Sequence, residues 1–229
     1  MVVFLKFIQP SIEVLSIRID EPITTMTDLI MAAICFYAYF RIKQQESSGR
    51  IKSYFKYYFL TLGIATMAGG LLGHAFLYSL PPAWKLVSWI FTLISVAILS
   101  TGLIELSKPL LKPAFSRMVT RVNILILSLA LLYTLYTLAF SAVKYYSIFG
   151  MVMVVGSLCY VIYQKTDSRG VVKVMIGVGV GILSALIFSF EWGLGPWFNH
   201  NDISHVILSF SAISVYKGAV LIIDSPSLV

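Results

Sequence analysis

The chain contains three histidines, His74, His200 and His205. Three imidazoles with a fourth position left for water are enough to hold a catalytic zinc ion. Two of the three belong to the run Trp197-Phe198-Asn199-His200-Asn201-Asp202-Ile203-Ser204-His205. Helical residues four apart share a face and those three apart nearly do, so Asn201 and Asp202 can stand beside His205. His200 precedes His205 by five positions, a poor helical spacing for two ligands. It can still reach the same ion from the turn that opens the helix, where the backbone is not yet helical. Asn199 or Asn201 can cap that helix. Asp202 can act as a ligand, as the partner that orients a histidine, or as a general base. The expected site is thus zinc on His74, His200 and His205, with Asp202 as the catalytic group. The competing reading is a set of interfacial hydrogen-bonding residues and helix caps.

The elements that must position these residues follow from composition. Apolar residues make up 59% of the chain and charged ones 12%, and mean hydropathy is +0.89. A soluble chain of this length cannot hide so much apolar surface. An all-α polytopic membrane protein of one domain, residues 1–229, is expected. A span needs about 20 mostly apolar residues, and seven stretches qualify: about 24–42, 57–79, 84–105, 121–142, 145–164, 171–191 and 203–223. Pro81-Pro82, Lys108-Pro109, Lys112-Pro113 and Gly193 to Pro196 punctuate the connections. Residues 1–20 carry no cleavable signal pattern. Within them, 3–18 reads as a short amphipathic segment lying on the membrane. Cys35 and Cys159 fall inside apolar runs and imply buried thiols rather than a disulfide.

Basic residues orient the bundle. The connections after spans one, three and five contain twelve of the seventeen Lys and Arg residues, and those after spans two, four and six contribute only Lys85 and Lys144. The positive-inside rule puts the basic connections in the cytoplasm, the N-terminus outside and the C-terminus inside, in a plasma (inner) membrane. The net charge of +7 is explained by this bias, and no nucleic-acid partner is implied. All three histidines then fall at the outer face, with Glu191, Lys85 and Asp28 at a similar depth.

Seven spans, a histidine late in span two and a histidine-containing start to span seven resemble the superfamily of alkaline ceramidases and progestin/adiponectin-type receptors. The resemblance covers the topology of the whole chain and few motif residues. It implies a zinc ion held by one histidine of span two and two of span seven, spaced four apart. His74 matches the first and His205 the last. Asn201 stands four before His205, with His200 one residue earlier. The family's serine four residues before the span-two histidine is Gly70 here. Its aspartate near the start of span three falls where this chain has Lys85 and Ser88. The resemblance implies a lipid-amide hydrolase acting on a lipid-like substrate from the outer leaflet. The departures favour a non-catalytic receptor-like or small-solute-binding bundle as the alternative.

Other features have simpler readings. Lys217, midway along span seven, sits where a microbial rhodopsin holds retinal, a remote alternative. No carboxylate in mid-span three supplies a counter-ion, so a snorkelling lysine is expected. Gly69-x-x-x-Gly73 and Gly177-x-x-x-Gly181 are small-residue faces for helix packing inside the bundle. Tyr57, Tyr58, Tyr78, Trp84, Trp89, Tyr145, Tyr146, Trp192 and Trp197 gather at span boundaries as an aromatic belt.

Overall fold

A computed structural model of the chain describes residues 9–225. Seven helices long and apolar enough to cross a membrane follow one another: α1 Pro22–Gln44, α2 Arg50–Ala75, α3 Pro82–Leu110, α4 Pro113–Thr137, α5 Ser141–Thr166, α6 Arg169–Ser189 and α7 His200–Ile223. They run 21 to 29 residues. At 1.5 Å per residue the shortest covers about 30 Å, the thickness of a hydrocarbon core. Their outward surfaces carry Ile124, Leu125, Leu129, Leu132, Ile182, Leu183 and Phe210 exposed. A contiguous apolar surface of that kind suits lipid and not water.

Helix ends depart from the apolar windows for local reasons. Helix α2 begins at Arg50, seven residues before its apolar window. Intrahelical hydrogen bonds do not stop at the hydrocarbon edge, so Lys52 and Lys56 are helical too. Proline at the first turn starts α1, α3 and α4, where the missing N–H is no loss. Leu138 in the left-handed region ends α4, and Asp167 likewise closes α5. Helix α7 begins at His200 because Asn199 caps it. The Asn199 side chain accepts from the Asn201 N–H, and Asp202 accepts from the Asn199 N–H, forming a capping box.

The amphipathic segment expected over 3–18 is, where described, a β-hairpin. Strand β1 (Ile12–Val14) pairs antiparallel with β2 (Ile17–Ile19). Residues 1–8 lie outside the described residues. The branched residues Ile12, Val14, Ile17 and Ile19 alternate with other types, which is a strand period.

Helix α1 packs on α2 and on α7, α7 packs along α6, and α3 lies on the other side of α2. The main core buries Cys35, Phe55, Phe59, Leu99, Cys159 and Val215. Both thiols are free and buried, as expected. Along α6 and α7 the contact is backbone to backbone. A Cβ on Gly218 would lie 2.7 Å from the Gly170 carbonyl oxygen, and one on Gly177 would lie 2.6 Å from Val215 Cγ2 and 3.0 Å from the Ser211 carbonyl. Ser211 Oγ donates to the Gly177 carbonyl at 2.7 Å across this seam. Lys217 is exposed on α7, on the side away from the core.

Candidate functional site

The packing of α1 between α2 and α7 builds a polar cluster at one end of the bundle. The last turns of α2, Gly69–Ala75, are π-helical. Here the N–H of Phe76 reaches back five residues to the Leu71 carbonyl at 3.0 Å. Such wide turns re-aim side chains and recur at functional sites. Gly69 and Gly70 let α1 approach closely. A Cβ on Gly70 would stand 3.0 Å from Asp28 Cβ, and one on Gly69 would stand 3.3 Å from Asp28 Oδ2 and 3.1 Å from Ser88 Oγ. Thr25 Oγ1 donates to the Gly70 carbonyl at 3.3 Å and fixes the crossing.

Asp28 is thereby held between two histidines. Its Oδ2 is 3.9 Å from His74 Nε2 and its Oδ1 is 3.5 Å from His205 Nδ1. The two imidazole rings are 6.2 Å apart, edge to face. Thr27 Oγ1 lies 3.3 Å from His205 Nδ1. The opposite nitrogen of His74, Nδ1, meets Glu21 Oε2 at 2.6 Å. In that short contact Nδ1 donates to the Glu21 carboxylate, and Nε2 is turned toward the Asp28 carboxylate.

Glu21 stands immediately before α1 with φ +43, a conformation disfavoured for a residue with a Cβ. Its side chain goes to His74 instead of capping α1. The hydrogen bond from His74 holds the Glu21 carboxyl below its ordinary value, against the opposing effect of burial. A carboxyl lowered in this way contributes stability above the ordinary glutamate range and loses it as pH falls through the lowered value. Glu21→Gln is therefore expected to melt at a lower temperature than the wild type at pH 7 in detergent. The difference should close below about pH 4, under the ordinary glutamate value. A difference unchanged from pH 7 to pH 3 would refute the pairing.

The orphan N–H groups of α1 are satisfied from elsewhere. Gln9 Oε1 accepts from the Ile23 N–H at 2.8 Å and the Thr24 N–H at 3.2 Å. Gln9 Nε2 donates to Asp202 Oδ2 at 3.1 Å, and Thr24 Oγ1 donates to Asp202 Oδ1 at 2.6 Å. With the Asn199 N–H at 2.7 Å, both Asp202 oxygens are engaged. Asp202 is fully buried. It ties the N-terminal segment, α1 and α7 into one knot and caps the start of α7. Asp202→Ala leaves three buried donors without an acceptor, at a cost of about 3 kcal/mol. A melting temperature within a degree of the wild type would contradict that role.

His74 and His205 meet across Asp28. His200 opens α7 with its ring centroid 5.7 Å from that of Phe188. Among the described residues, no group of three or more His, Cys, Asp or Glu side chains is arranged to hold a metal ion. Sequence reasoning assigned no site role to Glu21, Asp28 or Gln9, although it set Asp28 at the depth of the histidines. Asp28 carried a signal, since a carboxylate inside an apolar helix is costly without a task. Gln9 carried none.

Residues 23–224 match a family of unknown function, DUF6962. The chain belongs to it. No curated protein and no solved structure matches. The match runs from the start of α1 to the end of α7, so the DUF6962 region includes Asp28, His74 and His205 and excludes Glu21, Gln9 and the hairpin.

Proposed function

We propose that this DUF6962 member is an integral membrane protein that binds one zinc ion where α1, α2 and α7 meet, through His74, Asp28 and His205. The Asp28 carboxylate between the two imidazoles carries this reading. Its separations of 3.5 and 3.9 Å exceed a good hydrogen bond. They approach the donor-to-donor spacing of about 3.3 Å that metal bonds of 2.0–2.2 Å produce in a tetrahedral site. Two histidines and one carboxylate are a known zinc set. A carboxylate behind the ligating histidine, as Glu21 stands behind His74, is the usual way of fixing that ring. A zinc ion held there would require the two rings to move closer together than they stand, with centroids 6.2 Å apart. A zinc ion there supplies Lewis-acid charge at the membrane boundary.

The reading favours binding over lipid-amide hydrolysis. The position where the resembling family keeps its serine is Gly70, and Asp28 fills the space a side chain would need. Asp202 is occupied by its three donors. The bias of basic residues toward alternate connections supports an outer-side site in a plasma membrane, within reach of small solutes or lipid headgroups. Metal analysis of the protein purified in detergent tests the proposal. About one zinc per chain is expected. No zinc as purified, together with no uptake on titration, would overturn it.

A further inference from the structure

The hairpin sorts its residues into two faces. Ile12 pairs with Ile19 and Val14 with Ile17, so these four share one side, while Glu13 and Arg18 pair on the other. The turn is Leu15-Ser16, with φ of 51° and 63°. A two-residue turn of this hand ordinarily takes Asn-Gly, because both residues need the left-handed region. Leucine is disfavoured there, and this leucine is 93% exposed. Both disadvantages fall on one side chain, and withdrawal from water would offset them.

The level of the hairpin indicates what covers it. The Asp20 N–H donates to the Ala75 carbonyl at 3.0 Å, tying the hairpin base to the last residue of α2. The Arg18 guanidinium lies 5.2 Å from the Tyr78 ring centroid, and its Nε donates to Asp20 Oδ1 at 2.8 Å. Tyr78 and Trp84 are both exposed in the connection from α2 to α3. Aromatic residues in such a place mark the bilayer boundary. Strands of three residues reach about 10 Å, enough to lie along that boundary.

We propose that the hairpin docks on the lipid interface, with Leu15 and the Ile12, Val14, Ile17 and Ile19 face in the acyl boundary and Glu13 and Arg18 toward the headgroups. Strand β2 runs through Asp20 directly into Glu21, so the lipid surface sets the posture of the carboxylate that holds His74. The inference rests on the membrane-spanning reading of α1–α7 and not on zinc.

Site-directed spin labelling tests it on the full chain. Cys35 and Cys159 are buried, so Glu13→Cys, Val14→Cys, Leu15→Cys and a loop control, Ser48→Cys, can each be labelled selectively. In nanodiscs of phosphatidylcholine and phosphatidylglycerol, labels at 14 and 15 should be relaxed more by oxygen than by a water-soluble nickel complex. Labels at 13 and 48 should show the reverse. Nickel accessibility at 15 equal to that at 48 would overturn the proposal. So would dipolar broadening between labels at 15, which would show a second copy as the occupant. Neither readout depends on bound metal, so a metal-free protein leaves this test intact.

Discussion

Asp28→Asn and His205→Ala are each expected to lower zinc affinity by about two to three orders of magnitude, while His200→Ala keeps about one zinc per chain. Loss of a single partner behind a ligand already costs about 10–100-fold, and loss of a ligand itself costs more. Asp28→Asn is the more telling substitution, because it keeps the shape beside Gly70 while removing the charge between the two rings. His200→Ala removes the ring that stands on Phe188. Competition titration with a chromogenic chelator in detergent reads all three affinities. Retention of zinc by Asp28→Asn with loss in His200→Ala would restore the three-histidine set and refute the one proposed.

Gly218→Val should be the most damaging substitution in the bundle, by about 3 kcal/mol or more. Its Cβ would stand 2.7 Å from the Gly170 carbonyl oxygen and 2.7 Å from Val174 Cγ2. Backbone cannot rotate aside, so α6 and α7 must separate along the seam, and overpacking of this kind costs about 1–3 kcal/mol even where side chains can yield. Gly181→Ala, on the same helix pair, should be neutral, since its Cβ meets only Ser211 Oγ at 3.5 Å. Thermal melting in detergent compares the two. Equal melting temperatures for Gly218→Val and wild type would refute the close crossing.

That contrast shows how far the sequence could be read. Gly177-x-x-x-Gly181 marks a packing face, yet Gly177 touches Val215 and Gly181 has room. Spacing reports which residues share a face, and only the crossing helix decides which of them is squeezed. The seven helices were legible because each needs a long apolar run, and a run survives any detail of packing. Asn199 as a cap was legible for a similar reason, since capping is local. The site was legible in half. His74 and His205 are placed by span depth, but Asp28 enters through the rotation of α1 and the wide turn of α2, which no spacing encodes. Gln9 reaches Asp202 across 193 positions, a contact with no local trace. The hairpin shows alternation over only three residues per strand, too short to separate from an amphipathic segment.

The site has a consequence for synthesis. Of the seven helices, the one that carries Asp28 is made first and the one that carries His205 last. Thr27 and His205, which touch in the finished bundle, are 178 positions apart. At about 5–20 residues per second, some ten to thirty-five seconds separate their emergence. During that interval His74, on the second helix, is the histidine available to Asp28. The pair α1 and α2 must therefore shelter a carboxylate set in an apolar helix while α3 to α7 are being made. The close approach at Gly69 and Gly70 provides that shelter, and the arrival of α7 completes a pairing the first two helices have already begun.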